Sequence, residues 1–299
     1  MNAGFLRRPT RRRLARLLGA LLGGVAAAGC RRAGDAAQSD PGPRVVSLAP
    51  SLTEIVCALG GEAMLVGRSS ACNYPPQVVA RVPVVGDFGQ PSLERLLAVR
   101  PTAVLEVDLA DETLGRQIER LGIRRVRLPC RRLADIAPAI REVGRVLDRA
   151  EPADRLAAQL EGELARWRAA AGVGPRPTVF VEIWNDPLTT AGRSSFISEL
   201  VTLAGGRNLG DEADQDYFQV SAEWVVARDP QIIVCLNMAS AGEARRQVPA
   251  RSSWEGVAAV RAGRVYAGLD NDRLLRPGPR VLEGLRELRA LIAAEPPAP

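Results

Sequence analysis

The sequence predicts an α/β protein of two Rossmann-like lobes, each built on a parallel sheet, joined by a single long backbone helix. Three observations carry that expectation. Short apolar runs alternate with helical stretches on either side of the middle of the chain. The segment Phe88 to Leu105, FGQPSLERLLAVRPTAVL, recurs without a gap as Tyr217 to Val234, YFQVSAEWVVARDPQIIV. Between the two copies runs a long stretch with one apolar helical face. In the repeat, Phe88 falls on Tyr217, Ser92 on Ser221, Glu94 on Glu223, Ala98 on Ala227 and Pro101 on Pro230. Both copies then enter an apolar run, Val104-Leu105 and Ile233-Val234. Two halves built on one plan explain this better than chance.

The 299 residues leave room for two domains of ordinary size, and 46% hydrophobic content supplies a sizeable core. The net charge of +6 and pI near 9.6 at first point to nucleic acid or anionic lipid. The distribution removes that reading. Arg7, Arg8, Arg11, Arg12, Arg13 and Arg16 all fall within residues 1–29, which carry no acid. Without them the formal charge is near zero, so no excess remains to neutralise phosphates. All forty basic residues are Arg and none is Lys, a compositional bias that strips Arg runs of functional weight. The chain has no His. That excludes Ser-His-Asp and Cys-His catalysis, His-ligated zinc and His-ligated haem. No G-x-G-x-x-G or P-loop pattern is present.

Residues 1–29 read as an export signal: a basic start, then an apolar run from Leu17 to Ala28, too short to span a bilayer. Thr10 to Leu14 resembles a twin-arginine signal, with a generic basic region as the alternative. Ala27-Ala28-Gly29-Cys30 resembles a bacterial lipobox, with Cys30 as the lipidated first residue; the alternative is ordinary signal-peptidase cleavage nearby. Residues 30–43 form a polar, flexible tether. The protein is therefore expected on the periplasmic or cell-surface side, touching membrane only through a lipid anchor. Cys57, Cys72, Cys130 and Cys235 allow two disulfides in such a compartment, or buried free thiols.

The first lobe is expected over residues 44–150. Arg44 to Leu48 is a buried strand. Ser51 can cap a helix with Glu54 three residues on, a capping box, and Gly60-Gly61 ends it. Leu65 starts a second strand. Cys72-Asn73-Tyr74-Pro75-Pro76 suits neither helix nor central strand; it holds Tyr74 for a ligand or packs it on its own loop. After Val82 to Val85 comes the first copy of the repeat, where Ser92 caps a helix and Glu94 suits its dipole. Capping alone accounts for Glu94 and Glu223, but not for the aromatic upstream of each. Val104 to Val107 is a strand, Glu112 to Leu121 a helix stopped by Gly122, and Arg125 to Leu128 a strand. Short loops in this alternation predict a parallel sheet with helices on both faces.

Ile136, Ile140, Val143 and Leu147 share one helical face. The connecting helix, residues 151–173, follows with Pro152 at its start and Leu156, Leu160, Leu164 and Trp167 on one side. It spans about 30 Å. Residues 174–299 make the second lobe. Thr178 to Ile183 is a buried strand, and Trp184 to Pro187 a polar aromatic loop at its C-terminal end, where open α/β sheets bind ligands. Ser195 to Leu203 is a helix stopped by Gly205-Gly206, the counterpart of Gly60-Gly61. Asp211 to Tyr217 is an acidic loop and Gln231 to Leu236 a strand. Trp254 to Val260 is helical and Val265-Tyr266 the last strand. Asp270 to Pro279 is a loop carrying Arg276, and Val281 to Ala293 closes the chain as a helix.

Tyr74, Phe88, Trp184 and Tyr217 thus stand at strand ends in both lobes. Facing strand ends make a cleft, and aromatic walls with few charges suit a large, flat, partly apolar ligand. Asp270 and Arg276 are its candidate polar contacts. Glu182, Asp186, Asp270 and Asp272 are the carboxylates available to an exported enzyme as an acid/base pair; loop solvation and capping account for them as well.

The stretches RVVSLAPSLTEIVCALGG, CNYPP, VGDFGQPSLERLLAVRPTAVL, VSAEWVVARDPQIIV and RPGPR resemble the substrate-binding proteins of ABC importers for vitamin B12, ferric siderophores and haem. The likeness runs from about Arg44 to Ala293 and is nearest to B12 binders. That family's fold is the periplasmic-binding-protein type with a helical backbone between two lobes. The resemblance implies a monomeric extracytoplasmic binder, not an enzyme, without cofactor or metal of its own. It would deliver a cobalamin-type corrinoid to a permease dimer with its ATPase. It also implies that Tyr74, Phe88 and Tyr217 line the corrin site, the last two where a B12 binder carries Trp. By the same token Glu94 and Glu223 dock onto arginines of the permease. A ferric siderophore or haem binder of the same fold is the alternative. Arg193, Arg273 and Arg276 are then the cations open to an anionic chelate. An exported enzyme or a ligand sensor lies outside that class.

Overall fold

The computed structural model describes residues 42–171 and 174–294. The expected export signal, Cys30 and nearly all of the tether lie outside the described residues. The first sheet has strand order β4-β3-β2-β1-β5-β6. Its centre is β1 (Val45–Ser47), paired in parallel with β2 (Leu65–Ser69) and β5 (Ala103–Glu106). β3 (Val84–Asp87) and β6 (Arg124–Arg127) extend it in parallel, and β4 (Gln90–Pro91) closes one edge antiparallel to β3. β1 and β5 are buried throughout, as continuous apolar runs in a two-sided sheet must be.

The helices of this lobe are α1 (Pro50–Ala58), α2 (Pro76–Val79), α3 (Leu93–Ala98) and α4 (Glu112–Arg120). Two expectations need correcting. Ser51 does not cap α1: Pro50 takes the first helical position, where its missing N–H costs nothing, and no side chain caps the helix. Glu54 therefore belongs to no capping box and is buried elsewhere. Likewise Pro76 opens α2, so only the part before it is non-helical.

α5 (Ile136–Val146) lies against α6 (Ala150–Ala170), the 21-residue connecting helix. The approach is close: a Cβ on Gly144 would come within 2.2 Å of the Ala153 Cβ. One apolar core runs through both lobes by way of these helices, taking in Val45, Leu105, Ile140, Leu160, Val181, Leu200 and Leu285.

The second sheet has order β10-β8-β7-β11-β12, with β9 also on β7. β7 (Thr178–Asn185), β11 (Ile232–Cys235), β12 (Val265–Ala267) and β9 (Arg207–Asn208) are parallel. β8 (Leu188–Ala191) and β10 (Tyr217–Gln219) are antiparallel. Trp184 to Pro187 is thus no free loop. β7 runs on to Asn185, and a two-residue turn at Asp186-Pro187 folds the chain into β8. Around the sheet lie α7 (Phe196–Leu203), α8 (Ala222–Arg228), α9 (Ala241–Gln247), α10 (Ala258–Arg261), α11 (Asn271–Leu274) and α12 (Val281–Ala293).

The repeat is geometrical as well as textual. The Ser92 hydroxyl accepts from the Arg95 N–H at 3.4 Å, and the Ser221 hydroxyl from the Trp224 N–H at 3.2 Å. β5 pairs with β1 as β11 pairs with β7. The helices α1 and α7 end alike. Gly60 and Gly205 have φ of +70° and +92°, and the next glycine returns its N–H to Val56 O and Val201 O, each at 2.9 Å. Cys57, Cys72, Cys130 and Cys235 are free thiols. Among the described residues no helix is long and apolar enough to cross a membrane.

Candidate functional site

A cavity of about 270 Å³ opens between the lobes, lined by Pro50, Ser51, Phe88, Val107, Cys130, Phe196, Leu275, Arg276 and Pro277. Each lining residue owes its place to the topology. Val107 and Cys130 lie just beyond the C-terminal ends of β5 and β6, and Pro50 and Ser51 open α1. This is the crevice where open parallel sheets take ligands. Phe88 sits in the two-residue turn between β3 and β4. Its neighbour Gly89 has φ +66°, and a Cβ there would approach the Asp108 carbonyl to 2.9 Å, so the turn requires glycine. From the other lobe come Phe196, the first residue of α7, and the segment leaving α11.

The exposed aromatics among the described residues are Tyr74 (39%), Phe88 (50%), Trp184 (57%) and Tyr217 (42%). These are the aromatics that the sequence singles out. The structure brings Phe88 and Arg276 onto one cavity. Tyr74 lies on a neighbouring one of about 350 Å³ with Glu54, Cys57 and Arg280. The Arg280 guanidinium stacks over the Tyr74 ring at 3.8 Å. Trp184 and Tyr217 line neither. Trp184 stands opposite Thr189 at the end of β7, its indole N–H donating to Asp186 O at 2.9 Å. Tyr217 stands opposite Ala191, two residues along β8. Partial loss of solvent around the side chain and the Asp216 charge push the Tyr217 phenol up to about 12.

A polar network stitches the two lobes together beside the cavity. Glu54 of α1 is buried and receives Arg280 of the second lobe through two contacts of 2.8 Å. Arg276 donates to Asn73 Oδ1 at 2.6 Å, reaches Glu54 Oε1 at 3.4 Å and pairs with Asp272 at 2.7 Å. Asn73 in turn donates to Asp272 Oδ2 at 2.8 Å. Asp270 lines neither cavity. It caps α11, accepting from the Asp272 N–H at 3.1 Å, and pairs with Arg273 at 2.9 Å.

Three of the carboxylates open to an acid/base pair are therefore engaged. Glu182 is buried against Arg251 at 2.8 Å, Asp270 caps a helix and Asp272 holds Arg276. Burial pushes the thiols of Cys57 and Cys130 up to about 12, which keeps them protonated and poor nucleophiles or metal ligands. Among the described residues no group of three His, Cys, Asp or Glu side chains is placed to hold a metal ion.

Glu94 and Glu223 are exposed in the first turns of α3 and α8, away from the cavity lining. Neither enters an ion pair among the described residues. Hydrogen bonds from the Ser221 hydroxyl and its own backbone N–H hold the Glu223 carboxyl below the usual range.

Sequence reasoning missed Phe196, Val107, Cys130 and Leu275 in the lining, and Glu54, Asn73 and Arg280 in the network. A signal existed for Val107, which directly follows a parallel strand, and for Cys130, three residues beyond another. None existed for the network, because its members lie some two hundred positions apart.

The profile of the periplasmic binding protein family matches residues 45–271. The vitamin B12-binding protein of Pectobacterium carotovorum subsp. carotovorum (strain PC1) is 28% identical over 260 residues, covering 85% of this chain and 90% of its own. An ABC transporter substrate-binding lipoprotein of Bacillus subtilis (strain 168) is 29% identical over 254 residues, covering 82% of this chain and 78% of its own. Among solved structures, a periplasmic haem-binding protein from Roseiflexus sp. RS-1 superposes with a TM-score of 0.73 at 30% identity. That match covers 84% of this chain and 98% of the other.

Proposed function

The chain belongs to the periplasmic binding protein family, and from that premise we propose that it binds a cobalamin-type corrinoid between its lobes and delivers it to an ABC importer. It is a binding protein and not an enzyme, as are the relatives it matches. The observation that carries the ligand class is the composition of the cavity: Phe88, Val107, Phe196 and Leu275 against a single charged residue, Arg276. A corrin is broad and flat with an apolar face and an amide-rich rim. Aromatic and aliphatic walls bury the face. The Arg276–Asp272–Asn73 network offers both donors and acceptors to amides.

Phe88 and Phe196 line the cavity with Arg276, Tyr74 stacks on Arg280 of the same network, and Trp184 and Tyr217 are further exposed aromatics on the second sheet. Glu94 and Glu223 serve as docking carboxylates, one per lobe, toward a permease dimer and its ATPase. Cys30 carries the lipid that holds the mature protein, working as a monomer, at the membrane surface.

Haem is the second reading, favoured by the exposed phenol of Tyr74 and by the Roseiflexus neighbour. One experiment separates the two. The purified mature protein is mixed with cyanocobalamin or haemin, desalted, and scanned for the corrin or Soret absorbance. Co-elution of stoichiometric corrin supports the proposal. Retention of haemin alone overturns it in favour of haem.

A further inference from the structure

The cavity has one charged lining residue, and its charge is cancelled by the protein itself. Arg276 is flanked by Asp272 at 2.7 Å and Glu54 at 3.4 Å, while Glu54 also holds Arg280. Two guanidinium groups and two carboxylates close on one another, and Asp270 adds a third carboxylate 3.9 Å from Arg280, so no positive charge is left over. The next cation, Arg273, is taken up by Asp270, Glu283 and Glu287.

We propose that Asp272 and Glu54 determine the charge of the ligand that the cleft accepts. They hold Arg276 as a hydrogen-bonding group rather than as a free cation, so the site admits a neutral, amide-bearing ligand and excludes carboxylate- or catecholate-bearing chelates. The inference rests on the corrinoid reading of the same site and names the residues that enforce it.

The physical argument is one of competition. Arg276 is mostly buried, its side chain 16% exposed, so its electrostatic interactions are screened far less than in water. An anionic ligand that accepts from that guanidinium stands beside Asp272 and Glu54 as a like charge, whether it shares Arg276 with them or displaces Asp272. Glu54, 2% exposed, is the less screened of the two like charges. An amide meets no such penalty. Its carbonyl accepts from a guanidinium N–H and its N–H group donates to Asp272 while the ion pair stays intact. The first turn of α1 adds only a partial positive charge, the same in every variant below.

The test uses a matched pair of ligands: cyanocobalamin and the monocarboxylic acid formed by hydrolysing one of its rim amides. The two differ by a single negative charge. Dissociation constants are measured on the full mature chain for the unaltered protein, Asp272→Asn and Glu54→Gln. Circular dichroism melts confirm that each variant folds. The unaltered protein is expected to favour cyanocobalamin. Asp272→Asn should move the preference toward the acid by about tenfold, and raising the salt concentration should shrink that shift. Glu54→Gln should move it the same way by less, because Arg280 shares that carboxylate. If both corrins bind and their ratio is unchanged in both variants, the inference is overturned and the corrinoid reading stands. If neither corrin binds the unaltered protein, the corrinoid reading falls. Haemin, a dicarboxylate, then reads the filter on the same proteins: tighter binding to Asp272→Asn upholds it, and equal binding overturns it.

Discussion

Glu106 is the last residue of β5 and is fully buried beneath the strand end that carries Val107 into the cavity. One carboxylate oxygen accepts from Arg125 Nε at 2.9 Å, and the other has no partner among the described residues. Burial pushes this carboxyl up and outweighs the opposing pull of Arg125. The folded chain therefore binds the Glu106 proton more tightly than the unfolded chain does. Its contribution to stability is complete below the ordinary carboxylate range and is lost as pH rises through the elevated folded value. Glu106→Gln keeps an acceptor for Arg125 and removes the charge. Thermal melts between about pH 4 and pH 7 should show the unaltered protein losing ground to the variant as pH rises. Parallel curves would mean that the carboxyl titrates normally and that its second oxygen has a partner.

At the scale of elements, the two glycine pairs that end α1 and α7 separate backbone cost from packing cost. Gly60 has φ +70° and open space around a would-be Cβ, with the Arg149 side chain no nearer than 3.8 Å. Gly60→Ala should cost about 1 kcal/mol, from the backbone alone. Gly206 is the reverse case: a Cβ would stand 2.7 Å from Val179 Cγ2 and 3.0 Å from Val201 Cγ1. Gly206→Ala should cost about 1–3 kcal/mol through overpacking, and a small neighbouring change, Val179→Ala, should recover part of it. Urea unfolding of the single and double variants measures both, and full additivity would rule out the packing account. The same elements explain what sequence reveals. β1, β5, β7 and β11 were legible because central strands carry unbroken apolar runs, and α12 because one apolar face, Val281, Leu282, Leu285, Leu288 and Ile292, runs through its thirteen residues. β4 and β10 span two and three residues and exist only through their partners. No local pattern marks them, and the antiparallel edge of each sheet was missed for that reason. Phe88 could be read as a site residue because the repeat points to it. Phe196 could not, since an aromatic at the start of a helix reads first as core.

At the scale of the whole molecule, the repeat acquires a direction. Its aromatic lies on the β3–β4 turn in one lobe and on β10 in the other, and its carboxylate follows in the first turn of α3 or α8. The continuous core through α5 and α6, with the Glu54–Arg280 and Asn73–Asp272 contacts, ties the lobes together. The separation of Glu94 and Glu223 is then a property of the fold rather than of the ligand. A permease built as a two-fold dimer presents two equal sockets and needs one matching carboxylate on each lobe. Both side chains are exposed and without an ion pair among the described residues, so binding a cationic socket breaks no ion pair among them. Glu223 is also held ionised to lower pH than an ordinary glutamate, so its docking should survive mild acid. Charge reversal tests the assignment. Glu94→Arg and Glu223→Arg should each lower corrinoid uptake in cells by at least about tenfold, and the double variant should abolish it. Co-elution of the purified variants with cyanocobalamin should be unchanged, because neither residue lines the cavity. Undiminished uptake by the double variant would show that these carboxylates only complement the helix dipole in the first turn. Loss of binding together with uptake would place them in the ligand site and overturn the division of the repeat into cleft wall and docking face.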